Sequence, residues 1–104
     1  MAMVVVNLLK NALRAIQRAS KGDIKILVES GKQGSLISVR DTGSGIPQSQ
    51  LPHIFTRFHS YPAHEGTGIG LAFCRETLAS WGANIECRSE ENLFTEFVMT
   101  FRAL

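Results

Sequence analysis

From Val4 to about Ala19 the apolar residues recur at helical spacing, with Val5, Leu8, Leu9, Ala12, Leu13 and Ile16 gathered towards one side. "SKGD" breaks that period, and Gly22 stands where a glycine usually ends a helix. The period then switches to two. In "DIKILVES" the residues Ile24, Ile26 and Val28 share one face, "GKQG" makes a turn and "SLISVRD" alternates again, so the two runs read as a hairpin. The loop "DTGSGIP" follows, then a short helical piece, "SQLPHIFTRF", and a polar stretch, "HSYPAHEGTGIG". "IGLAFCRETLASWG" predicts a second long helix ended by Gly82, and "ANIECRSE" and "LFTEFVMTFRA" predict a last pair of strands. No repeat, linker or low-complexity tract divides residues 1–104, so one domain is expected. Hairpins make antiparallel pairs, and two helices covering one face of such a sheet give a two-layer α/β sandwich.

Charge and composition change this picture little. The net charge of +2 and the lack of any basic run give no reason to expect nucleic acid or a membrane surface as partner. The apolar stretches are far shorter than a transmembrane span, and the start does not read as a signal peptide. Cys74 and Cys87 lack metal-ligand spacing and read as two reduced thiols. His53, His59 and His64 do not make a zinc set.

Three stretches carry candidate chemistry. Asn7, Asn11 and Arg14 stand at i, i+4 and i+7 and share a helical face, although asparagine is a poor helix former. Amide oxygens ligate hard cations such as Mg²⁺, and arginine neutralises phosphate. "DTGSGIP" opens with a carboxylate and holds two glycines, as if something approached its backbone closely. "GTGIGLA" runs straight into a helix, and glycines at a helix start make an anion site. It is neither a Walker A motif nor a dinucleotide fingerprint, and no protein-kinase signature such as VAIK, HRD or DFG is present.

In series, "NLLKNAL", "DTGSGIP", "IFTRF" and "GTGIGLAFC" resemble the N, G1, F and G2 boxes of the ATP-binding domain of sensor histidine kinases, in a superfamily that also holds gyrase, the Hsp90 chaperone and MutL-type ATPases. The resemblance implies a Bergerat-type fold, with a mixed, mostly antiparallel sheet and helices on one face. It implies that Asp41 accepts a hydrogen bond from the adenine amine, that Gly43 and Gly45 let the backbone pass against the purine, and that Ile46 packs on the ring. Thr95 matches a hydroxyl near the adenine, although the last box keeps only Thr95 and Phe97 of its usual pattern. Asn11 matches the family's Mg²⁺-binding asparagine, and Asn7 and Arg14 match positions facing the phosphates. Gly66, Thr67, Gly68 and Gly70 are expected to close over the triphosphate, with Leu71 beginning the next helix. Arg57 reaches either the γ-phosphate or solvent, while Phe55 is expected in the core and able to share a helical face with Phe58.

The resemblance further implies a protein-histidine kinase whose phosphoacceptor histidine lies outside this chain. ATP and Mg²⁺ would be the ligands, a dimerisation domain of the same kinase and a response regulator the partners, and the isolated domain a monomer that does not phosphorylate itself. The chain reads as a cytoplasmic fragment of a longer kinase of a type usually anchored in a membrane. Two other readings from the same superfamily are an ATP-hydrolysing conformational switch, which needs a glutamate on the first helix, and an anti-sigma serine kinase. A plain interaction module is disfavoured by the presence of both Asp41 and Asn11.

Overall fold

The computed structural model describes residues 2–58 and 70–102. Helix α1 (Ala2–Ala19) buries Val4, Leu8, Ala12 and Ala15, three or four residues apart along one stripe. Its end differs from the expected one. Ser20 (φ 58°), not Gly22 (φ 134°), takes the left-handed helical conformation of the cap, and the amides of Ser20 and Lys21 donate back to the carbonyls of Gln17 (3.2 Å) and Ile16 (3.3 Å) in a Schellman cap. Gly22 answers a different need. A Cβ there would come 2.9 Å from the Thr42 carbonyl oxygen. Helix α2 (Gly70–Ser80) ends as expected, with Gly82 at φ 71° and the Ala83 amide donating to the Leu78 carbonyl at 2.8 Å.

Strands β1 (Ile24–Gly31), β2 (Gly34–Asp41), β3 (Asn84–Glu90) and β4 (Phe94–Arg102) form one sheet in the order β1-β2-β4-β3. All three pairings are antiparallel, so no parallel pair of a mixed sheet occurs among the described residues. Residues in register share a face, and the rows crossing the sheet are therefore explicit. Ile85, Met99, Ile37 and Val28 form one, and Cys87, Phe97, Val39 and Ile26 the next. The row after that is Ser89, Thr95, Asp41 and Ile24. The β2, β3 and β4 members of the two apolar rows join Leu8 and Leu78 in the core. The third row brings three polar side chains to one end of the helix-covered face.

Strand β1 breaks the simple amphipathic pattern. Ile26 and Val28 do share a face, but they are 53% and 64% exposed. The helices pack mainly over β2 and β3, which leaves the middle of β1 uncovered. The predicted helical piece after the loop is also shorter than expected. Only Leu51–His53 forms a 3₁₀ turn. The amides of Gln50, His53 and Thr56 donate in turn to the carbonyls of Pro47, Gln50 and His53, so the chain advances by single turns. Pro52 has no N–H with which to continue an α-helix through this stretch.

Candidate functional site

Asp41 ends β2 and is only 3% exposed, opposite Thr95 on β4. One carboxylate oxygen accepts the Gly43 amide at 2.9 Å, an Asx turn that starts the loop. Burial pushes the Asp41 carboxyl above the usual carboxylate range, while the Gly43 N–H and the Arg18 charge pull the other way without cancelling it. Beyond Thr95 in the same row stands Ser89. Its hydroxyl lies 3.0 Å from the Thr95 hydroxyl, accepts the Ile46 amide at 2.8 Å and donates to the Phe94 carbonyl at 2.6 Å.

The two glycines of the loop are explained by this chain's own backbone. Gly43 lies on α1, where a Cβ would come 2.5 Å from the Ala15 carbonyl carbon. The next amide, Ser44, donates to the Ala15 carbonyl at 3.1 Å. Gly45 (φ 67°) turns against the Glu90 carbonyl at the end of β3. The Asn92 amide in the β3–β4 turn donates to the Ser44 carbonyl at 2.7 Å, and Arg18 on α1 donates through Nε to the Ser44 hydroxyl at 3.1 Å. The loop is therefore wedged between α1 and the β3–β4 turn. The expected close approach is real, and its partner in this structure is backbone on both sides.

Helix α1 links this loop to the start of α2. Asn7 donates through Nδ2 to the Met3 carbonyl at 3.0 Å, and a Cβ on Gly70 would come 3.1 Å from its Oδ1. Asn7 thus touches the first residue of α2 while Ala15 touches the loop after Asp41. Those two points are about 12 Å apart at the helical rise per residue. Asn11 lies between them, half-buried, its side chain without a hydrogen-bond partner among the described residues. Arg14 is exposed one turn on.

The sequence profile of the histidine kinase-, DNA gyrase B- and HSP90-like ATPases matches residues 1–104. The chain belongs to this family of ATPases. It is 36% identical over 98 residues to the autoinducer 1 sensor kinase/phosphatase LuxN of Vibrio campbellii, covering 94% of this chain and 12% of that protein. It is 37% identical over 95 residues to the CAI-1 autoinducer sensor kinase/phosphatase CqsS of Vibrio cholerae, covering 91% of this chain and 14% of that protein. A nucleotide-free form of the catalytic domain of histidine kinase ThkA superposes with a TM-score of 0.79 at 31% identity, over 95% of this chain and 64% of that one. The chain therefore spans less than a sixth of the length of these sensor kinases, and it has the fold of a histidine-kinase catalytic domain.

Within the ATPase domain the remaining expected residues separate. Ile46 is half-buried against the core, with its amide fixed by Ser89. Leu71 also packs on the core, one residue into α2. Gly66, Thr67 and Gly68 lie outside the described residues. Arg57 does not point into solvent alone: one guanidinium nitrogen lies 2.7 and 2.9 Å from the two carboxylate oxygens of Glu76 on α2. Phe55 packs edge-on to Phe97, with ring centres 6.2 Å apart, as a core residue should. Phe58 shares no helical face with it. It has φ 67° and is 71% exposed, and the 3₁₀ turn Leu51–His53 has ended before it.

Three residues of this region were not singled out by sequence pattern. Ser89 and Glu76 look like ordinary polar positions on a strand and a helix. Only the register of β3 with β4 and the packing of α2 show their partners. Cys87 stands in the row beside Asp41. Burial and the Asp41 and Glu96 charges push its thiol up to about 12. Cys74 is pushed up to about 11 by burial and donates to the Val4 carbonyl at 3.7 Å. Both cysteines are free in this structure.

Proposed function

We propose that this chain is the ATP-binding catalytic domain of a two-component sensor histidine kinase, working as a piece of a longer protein. The observation that carries the reading is the pairing of ends along α1. Buried Asp41 and its loop lie at one end of the helix, and the glycine start of α2 lies against Asn7 at the other. A nucleoside triphosphate laid along α1 puts its base at Asp41 and its phosphates at Gly70. The buried carboxylate accepts the adenine amine, and guanine, with a carbonyl there, is refused. Gly43, Gly45 and Ile46 wall the base, with Thr95 beside it. Asn7, Arg14 and the glycines of the "GTGIG" stretch receive the phosphates.

The donor set near Asn11 fits Mg²⁺ in a particular way. Among the described residues no cluster of three or more His, Cys, Asp or Glu side chains exists to cage a metal. A single amide oxygen fits an ion carried mainly by phosphates and water. Asn11 would hold that ion, which neutralises phosphate charge when bound. The residues of the chain bind, orient and shield ATP, and the attacking histidine comes from a separate dimerisation domain. A response regulator would take the phosphoryl group onward. The parent protein would be membrane-anchored with this domain in the cytoplasm. Among the described residues no helix is long and apolar enough to cross a membrane. A hydrolytic switch is disfavoured because α1 contains no acidic residue to act as base.

The test is calorimetric titration with ATP and Mg²⁺, followed by incubation with γ-labelled ATP. Binding is expected, with no acid-labile label on this chain and label on an added histidine-bearing acceptor domain. Acid-labile label retained by the chain alone overturns the division of labour.

A further inference from the structure

The hydrogen bonds around Ser89 can be assigned a direction, and the direction has a consequence for base recognition. A serine hydroxyl has one proton and two lone pairs. The Phe94 carbonyl, 2.6 Å away, only accepts, so the Ser89 proton is committed to it. The Ile46 amide, 2.8 Å away, only donates, so it occupies one lone pair. The Thr95 hydroxyl, 3.0 Å away, must then donate its own proton to the other lone pair. Ser89 and Thr95 are 7% and 4% exposed, too deep for water to rearrange this pattern freely. The Thr95 oxygen is left with lone pairs alone.

Asp41 is the cross-strand neighbour of Thr95 on the same face, and one of its oxygens is held by Gly43. No buried side-chain polar atom among the described residues lacks a partner, so the second oxygen, which has none, keeps some exposed surface where a ligand can meet it. We infer that Ser89 is a positioning residue for base selection: by holding the Thr95 proton it makes this end of the site a surface of acceptors only. Such a surface receives the two hydrogens of an exocyclic amine and repels a carbonyl at the same place. Freed of Ser89, the Thr95 hydroxyl rotates and donates, and a 6-oxopurine gains a partner. This inference rests on the adenine-site reading of Asp41 given above.

The experiment compares ATP with inosine triphosphate, which carries oxygen in place of the amine. Affinities are measured by calorimetry, with a thermal melt for each variant. Loss of the Ile46 anchor in Ser89→Ala weakens both nucleotides, whereas release of the Thr95 proton changes their ratio. The preference for ATP is expected to fall roughly three- to tenfold, the worth of one neutral hydrogen bond. Ser89→Thr, which keeps a hydroxyl, restores it. Thr95→Val is expected to weaken ATP and to leave inosine triphosphate no weaker, or bound slightly better. In that background Ser89→Ala moves the ratio no further, because no proton remains to be released. An unmoved ratio in folded Ser89→Ala overturns the inference. If Ser89→Ala does not fold, equal losses for both nucleotides in Thr95→Val overturn it. ATP binding that depends on Asp41 but ignores Ser89 defeats this inference alone. A chain that binds no ATP defeats the domain reading with it.

Discussion

Arg57 grips Glu76 through one guanidinium nitrogen, at 2.7 and 2.9 Å from the two carboxylate oxygens, and so ties the turn before the glycine-rich stretch to helix α2. Both side chains are more than half exposed, and an exposed ion pair stabilises a fold by about 0–1 kcal/mol. A triphosphate is a stronger ligand for a guanidinium than one solvated carboxylate. Glu76→Gln is therefore expected to leave the melt nearly unchanged. It should raise ATP affinity roughly two- to fivefold if Arg57 serves the phosphates. Calorimetry with ATP and with adenosine separates the cases. Unchanged ATP affinity leaves Arg57 as a strut to α2.

Asp41 carries opposite consequences for binding and for stability. On the proposed adenine-binding role, Asp41→Asn removes a charge-assisted hydrogen bond to the amine, and the expected loss is about 1.5–3 kcal/mol, roughly ten- to a hundredfold in ATP affinity. The fold responds the other way. Burial raises the folded-state pKa above the ordinary 3.8, so the folded state takes up its proton before the unfolded chain does. Stability contributed by that protonation grows as pH falls from the raised value towards 3.8, and it is absent at neutral pH. Asp41→Asn is accordingly expected to melt higher than the wild type at neutral pH, with the gap closing in acid. A series of melts from neutral pH down to the ordinary carboxylate range checks this. A variant less stable at every pH means that the carboxylate holds the loop in a way an amide does not replace.

Gly43→Ala separates two explanations of one glycine. A Cβ there meets the Ala15 backbone at 2.5 Å, and backbone in mid-helix cannot step aside. Overpacking of this kind costs roughly 1–3 kcal/mol, or about 4–8 °C of melting temperature per kcal/mol in a domain this small. The expected result is a lowered melt, partly recovered by saturating ATP. An unchanged melt with lost ATP binding would show that the glycine makes room for the purine instead.

What the sequence showed and what it hid divide along physical lines. The helical stripe of α1, the two hairpins and the Gly82 cap were legible because each is a local pattern of period or turn chemistry. The pair of glycines in "DTGSGIP" announced a close approach, but not to what. Gly43 meets α1 and Gly45 meets the β3–β4 turn, and both contacts bring together residues far apart in the chain. Gly22 reads as a cap in the sequence because a glycine after a helix usually is one. Here Ser20 bears the left-handed conformation, and Gly22 is needed where the chain crosses Thr42. Ser89 was invisible for the same reason as Glu76: its partners are set by register and helix packing, which no window of sequence contains.

Cys87 offers a chemical probe of the polar row. Its thiol, pushed up to about 12 by burial and then by the Asp41 and Glu96 charges, carries almost no thiolate at neutral pH. Alkylation by iodoacetamide at mildly alkaline pH is expected to be slower than that of an ordinary thiol by a factor of roughly a hundred or more. Removing one of the two charges in Asp41→Asn should speed it. Mass spectrometry of labelled peptides gives the rates, with Cys74 as a buried internal control. Equal rates in the variant and the wild type would leave the cause in burial and Glu96, without Asp41.

Asn11 should fail differently from Asp41 if it holds the metal. It lies on α1 between Asn7 and Ala15, half-buried, its side chain without a hydrogen-bond partner among the described residues, so its amide oxygen is available to an ion borne by phosphates. In the proposed binding mode the base lies at the other end of that span. Asn11→Ala is therefore expected to weaken ATP in the presence of Mg²⁺ by roughly tenfold or more, the worth of one good charge-assisted contact. Adenosine, or ADP without metal, should bind nearly as before. Alanine is the better helix former, by up to roughly 0.7 kcal/mol, so α1 should not weaken and the melt should hold or rise. Calorimetry of the variant with and without Mg²⁺ decides the matter, with the melt as control for folding. Equal losses in both titrations would make Asn11 a structural residue and send the search for the metal ligand elsewhere along the phosphates.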